Sequence, residues 1–187
     1  MARIPLIEEN EHPELVELIA KVRGSLQGRL LNVYRTMLHT PDLVGTWLDY
    51  MGTVRWKTEI DGRLREITII RIAYLNRARY SMRQHVPKVA LAEGLTLEEC
   101  DALADWRASR LFSKRERDVL AYADAMTRDV QMADPIYEAV RAHFNHRQLV
   151  ELTMLIAAYN MQNRVVEALD VELEPLDPAD PAMSARI

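Results

Sequence analysis

Apolar side chains recur with helical spacing along almost the whole chain. Leu15, Leu18, Ile19 and Val22 make a stripe at i, i+3, i+4, i+7, which predicts an amphipathic helix that Gly24 and Gly28 then loosen. A second helix is predicted over Leu30–Leu38. Thr40-Pro41-Asp42 reads as a start, with Thr40 as N-cap and Pro41 at the first helical position. That helix should reach about Trp56 and place Leu43, Trp47, Tyr50 and Val54 on one face.

From Arg63 to Leu75 the apolar positions are dense and β-branched. Length and the lack of a turn residue favour a buried helix over a strand, and Asp61-Gly62 supplies the start. Asn76-Arg77 should break it. A helix follows from Arg79 to Glu93, with Pro87 as a kink or boundary and Gly94 as the stop. Thr96-Leu97-Glu98-Glu99 and Ser113-Lys114-Arg115-Glu116 are capping boxes, and the second opens a helix to about Arg128. Asp134-Pro135 starts another, and a last long helix covers about Arg147–Leu169. No sustained alternation occurs, so an all-α chain with essentially no sheet is expected. Glu66 and Ala73-Tyr74 recur as Glu151 and Ala158-Tyr159 at constant offset, which leaves duplication and chance both open.

Composition adds exclusions. The 187 residues suffice for one domain with a sizeable core or two small helical halves. A net charge of −4 with scattered arginines argues against a nucleic-acid partner. No membrane-length apolar run and no apolar leader at Met1–Leu6 are present, so a soluble, cytoplasmic protein is expected. The single cysteine, Cys100, excludes an internal disulfide and a cysteine zinc site, and its acidic setting reads as a buried, inert thiol. His143 and His146 lack an identifiable third ligand, so no metal is expected, and no Gly-rich phosphate loop exists. No cofactor is expected.

The informative stretch runs from Arg65-Glu66-Ile67 to Gln84-His85-Val86. Glu66 and Arg71 are charged residues set among apolar ones. Ser81 and His85 are spaced i, i+4 on the next helix, with Tyr80 and Gln84 in the neighbouring row. A carboxylate, an imidazole and a phenol converging between two helices would be the inventory for moving protons. The plainer readings stand beside it: Glu66 with Arg71 as a structural ion pair, His85 as a satisfied core or interface histidine, and Tyr80 as core packing.

Leu64 to Asn76 resembles the leading helix of the carboxymuconolactone decarboxylase-like family, which includes the alkylhydroperoxidase D proteins. Arg79-Tyr80 with Gln84-His85-Val86 resembles that family's motif helix. Phe112-Ser113 to Asp129, Ala121-Tyr122-Ala123-Asp124, Glu151 to Leu173, Tyr159-Asn160-Met161 and Arg164 resemble its long form. The resemblance covers about 30–174. Residues 1–29 read as an N-terminal helix and linker, and 175–187 as a poorly ordered tail.

The family implies an alkylhydroperoxidase D-like bundle of about seven or eight helices, assembled as a trimer or hexamer. Met37, Trp47, Met51, Trp56 and Met82 are candidates for subunit contact or core packing. In the peroxidase branch a Glu precedes Cys-x-x-Cys and a His. Glu66 and His85 match, but Ala78 and Ser81 hold the cysteine positions, which removes thiol peroxidase chemistry. The decarboxylase branch keeps the histidine without the cysteines and acts on a small lactone acid.

These features imply a cofactor-independent lyase or isomerase acting on a small lactone, carbonyl or carboxylic-acid compound, as in aromatic catabolism. His85 would be the acid–base, Glu66 its orienting or relay group and Tyr80 a hydrogen-bond donor. Arg71, Arg79 and Arg83, with Ser81, would bind substrate, although the arginines read equally as a solvated or subunit-facing surface. A catalytically degenerate member that binds a small molecule or a partner, and a residual alkylhydroperoxidase-type antioxidant using an external thiol, are the alternatives.

Overall fold

A computed structural model describes residues 2–175. The tail expectation, from residue 176 on, lies outside the described residues. The described residues contain no strand and nine α-helices: α1 Val16–Ser25, α2 Asn32–Met37, α3 Pro41–Trp56, α4 Gly62–Asn76, α5 Arg79–Gln84, α6 Leu97–Ala102, α7 Lys114–Arg128, α8 Asp134–Arg141 and α9 His146–Ala168. None is long and apolar enough to cross a membrane.

Helix α4 is the axis of the molecule. Every residue from Leu64 to Ala73 is buried, charged ones included. Leu64, Ile69 and Ile72 join a core built with α3, α7, α8 and α9. Ile67, Ile70 and Ala73 face a second core with Ala78, Met82, Cys100, Leu103 and Leu120. Each fully buried isoleucine contributes about 1.5–3 kcal/mol by leaving water, which overrides the modest helix penalty of its branched Cβ. Asp61 caps α4 by accepting from the Leu64 amide at 2.9 Å. Arg77 ends it in the left-handed region at φ 55°, and the Ala78 amide reaches back to the Ala73 carbonyl. A third apolar cluster ties α1, α2 and α3 to Tyr80, Val166 and Val171.

Both expected capping boxes form, at Thr96–Glu99 and Ser113–Glu116. A third, Asn145–Gln148, starts α9 and has no counterpart in the sequence reading. Two expectations need correction. Thr40 occupies the N-cap position of α3, but its side chain makes no capping hydrogen bond. Along α3 the core face is Val44, Leu48, Met51 and Val54, whereas Leu43 is 61% exposed and lines an apolar surface cavity with Trp47 and Tyr50. Beyond Gln84 the chain widens into a π-helical turn over His85–Ala90 before ending at Gly94, φ 83°. Pro87, which has no N–H for a backbone ladder, lies within that turn.

Candidate active site

Helix α4 brings Glu66, and the start of the π turn brings His85, into direct contact. Nδ1 of His85 lies 2.6 Å from Oε2 of Glu66. Both are buried, at 0% and 4% exposure. The carboxylate accepts the Nδ1 proton, which fixes the tautomer and leaves Nε2 as the basic nitrogen. Nε2 faces the hydroxyl of Tyr159 on α9 at 3.4 Å, with the two rings edge to face at 5.4 Å. One turn further along the same helix pair, the Ser81 hydroxyl donates to Oδ1 of Asn163 at 2.5 Å. His85–Tyr159 and Ser81–Asn163 are thus two rungs between the motif helix and α9, because each pair of partners is spaced i, i+4 on its own chain segment.

Arg65 backs the pair from the other side. Its Nε reaches Glu66 Oε1 at 3.2 Å, one terminal nitrogen donates to the Arg55 carbonyl at 3.2 Å, and the other meets Glu93 at 2.5 Å. Burial pushes the Glu66 carboxyl up, but His85, with Arg55 and Arg65, overcomes this and holds it below the ordinary carboxylate value. Burial drives the Tyr159 phenol above its usual value, so it stays protonated. Gly62, the first residue of α4, belongs to this arrangement: a Cβ there would stand 1.7 Å from Glu93 Oε2.

Several expected site residues lie elsewhere. Arg71 is not the partner of Glu66 and is not open to a ligand. Its Nε and one terminal nitrogen clasp Asp124 at 2.6 and 3.0 Å, and the remaining nitrogen donates to the carbonyls of Leu103 and Ala104 at 2.8 Å each. The Tyr80 hydroxyl is engaged elsewhere: it accepts from the Val33 amide at 3.2 Å and donates to Glu174 at 2.5 Å. Arg79 is exposed and lines a different cavity beside Glu167, Asp170 and Glu172. Arg83 is half-buried, and its Nε has no hydrogen-bond partner. Ser81 is buried and engaged with Asn163. Arg65, Arg55 and Tyr159 were missed as site residues, although the Ala158-Tyr159 echo of Ala73-Tyr74 had marked the tyrosine.

Ala78 offers no functional group. Cys100 is buried beside Ala78 and Met82 in the second core, and burial with the nearby acids pushes its thiol up to about 11. Among the described residues no group of His, Cys, Asp and Glu is placed to hold a metal ion. Two cavities of about 300 and 280 Å³ flank Arg55 and Trp56 at the end of α3.

The helical fold is alkylhydroperoxidase D-like, and the chain belongs to the carboxymuconolactone decarboxylase family. The model of the carboxymuconolactone decarboxylase family matches residues 41–125. The chain is 32% identical over 131 residues to the uncharacterized protein YnjA of Escherichia coli (strain K12), covering 70% of this chain and 69% of that one. It is 25% identical over 115 residues to the uncharacterized protein YdfG of Bacillus subtilis (strain 168), covering 60% and 78%. In fold it is similar to the alkylhydroperoxidase AhpD core of a peroxidase-related protein from Ralstonia eutropha JMP134, with TM-score 0.78, 20% identity and 92% of each chain covered. It is likewise similar to a cysteine-to-alanine variant of the debrominase Bmp8 in complex with 2,3,4-tribromopyrrole, with TM-score 0.77, 19% identity, and 97% and 94% covered.

Proposed function

We propose that this chain is a proton-transfer enzyme, a cofactor-independent lyase or isomerase of small lactone, carbonyl or carboxylic-acid compounds. The observation that carries the reading is the 2.6 Å contact between Glu66 and His85 with the Tyr159 hydroxyl on the opposite ring nitrogen. A carboxylate that fixes an imidazole tautomer, plus a protonated phenol beside the basic nitrogen, is a set built to take a proton from one atom and return it to another. His85 is the acid–base, Glu66 orients it and stabilises its cationic form, and Tyr159, in place of Tyr80, hydrogen-bonds the substrate oxygen or an oxyanion that develops on it. A thiol peroxidase reading finds no support, since Ala78 and Ser81 stand at the cysteine positions and Cys100 is buried with a raised thiol value. That a debrominase of this fold holds a tribromopyrrole supports a small, planar ring compound as the ligand. Assembly as a trimer or hexamer is part of the same proposal.

The test is a panel of lactones, keto acids and aromatic acids assayed for product, followed by His85→Ala on whichever is turned over. Loss of roughly 10²–10⁴-fold with an unchanged melting curve is expected; unchanged turnover overturns the assignment. The near-complete burial of Glu66, His85 and Tyr159 favours a second reading, a catalytically degenerate member that binds a small molecule. Binding across the panel without product would select it.

A further inference from the structure

We infer that Arg55 is the specificity-determining residue of this site and that it selects an anionic, carboxylate-bearing ligand at the Arg55–Trp56 face. The inference rests on the proton-transfer reading for what happens next, but its own grounds are separate.

Arg55 stands in the last turn of α3 and lines both cavities, as does Trp56. Its guanidinium lies 4.6 Å from the centre of the Trp56 ring, and Arg65 lies at the same distance from that ring. The two differ in what they hold. Arg65 spends its nitrogens on Glu66, Glu93 and the Arg55 carbonyl. The Nε of Arg55 is buried and has no hydrogen-bond partner. The acidic side chains lining the two cavities are Asp49 and Glu93, and both are engaged: Asp49 with Lys21 at 2.8 Å, Glu93 with Arg65 at 2.5 Å. Arg29, Lys57 and Lys88 also line them.

Around the two cavities Asp49 and Glu93 are therefore already taken, and the Arg55 guanidinium, backed by the Trp56 ring, keeps an Nε with no hydrogen-bond partner. A guanidinium in that state is matched by a carboxylate, which accepts in the plane of the fork. A neutral amide of the same shape cannot supply that charge. Arg55 also acts on the chemistry behind it, since its charge favours the ionised forms of Glu66 and of Tyr159. Arg55 lines both cavities, whereas Arg71 is committed to Asp124 and Arg79 lines a different cavity; Arg83, whose Nε is likewise unpartnered, lines neither of the two.

The test compares benzoate with benzamide by tryptophan fluorescence on the full chain, using Trp56→Phe to show that Trp56 carries the signal. Benzoate is expected to quench saturably and to bind about tenfold or more tighter than benzamide. In Arg55→Gln the two should come within about twofold of each other, while Arg55→Lys keeps a reduced preference because a point charge replaces the fork. Equal affinity of the two probes, no response to benzoate at millimolar concentration, or a full preference surviving in Arg55→Gln overturns the inference. If Arg55→Gln fails to fold, Arg55→Lys decides, and a benzoate preference undiminished in that variant overturns the inference. His85→Ala should keep the benzoate response. Turnover surviving in that variant would sink the acid–base reading alone, and probe indifference would sink the Arg55 inference alone.

Discussion

Arg71 and Asp124 are 53 residues apart in the chain and meet in the core through two contacts, at 2.6 and 3.0 Å. The pair ties α4 to α7, and Asp124 also accepts from Arg107 at 2.5 Å and from the Trp106 ring nitrogen at 3.3 Å. Burial pushes the Asp124 carboxyl up, but Arg71 and Arg107 hold it below its ordinary value. Removing one member strands the other in the core. Arg71→Met should therefore cost about 3–5 kcal/mol in urea unfolding, and Asp124→Asn a similar amount. The double variant should recover part of that loss. Losses under 1 kcal/mol for each single change would show that the pair is not buried as described.

Glu66 links stability to pH in a defined direction. Its folded-state carboxyl lies below the ordinary value of 4.5. The ionised form is thus preferred in the native state, and its stabilisation is complete above that ordinary value. As pH falls from about 4.5 through the lower native value, the native and unfolded chains take up the same proton and the advantage disappears. Glu66→Gln should be about 2 kcal/mol less stable than the parent at pH 7, with the gap closing under acid conditions. Urea midpoints at pH 7, 5 and 3.5 would check this, and a gap that grows on acidification would contradict it.

Two tyrosines separate the site from its scaffold. Tyr159→Phe removes the hydroxyl beside His85 and should lower kcat roughly tenfold or more while leaving the melting temperature nearly unchanged. Tyr80→Phe strips Val33 and Glu174 of a partner, so it should cost about 1 kcal/mol in stability and change turnover by under about twofold. The reverse pattern would return the catalytic phenol to Tyr80.

Cys100, buried and with its thiol pushed up to about 11, holds roughly one thiolate in a thousand at pH 8. Ellman's reagent should modify the native protein far more slowly than the urea-unfolded chain. Cys100→Ser should leave peroxide consumption with a dithiol reductant at background. Rapid labelling of the folded protein would overturn the description of this cysteine.

Most of the fold was legible because its signals are local. Capping boxes at Thr96 and Ser113, the stop at Arg77 and the buried character of α4 all sit within a few residues of their cause. The Glu66 and His85 positions were legible through their spacing. What the sequence hid is long-range pairing. Arg71 could have faced Glu66 five residues before it, and only the packing of α7 on α4 shows that Asp124 claims it. Tyr159 reaches His85 from 74 positions away, so no local pattern could prefer it over Tyr80. Arg65 escaped notice because adjacent residues on a helix ordinarily point apart; its length lets Nε turn back to Glu66.

The bare Cα at Gly62 reaches further than its position at the start of a helix implies. Glu93 occupies the space where a methyl would stand, and from there it neutralises Arg65, which in turn supports Glu66. An alanine at 62 would evict that carboxylate, a flexible group that can swing away at little cost to the fold. Arg65 would then have Glu66 as its remaining carboxylate, which would draw negative charge away from the imidazole. One absent methyl group thus helps keep a carboxylate committed to a histidine 23 positions downstream.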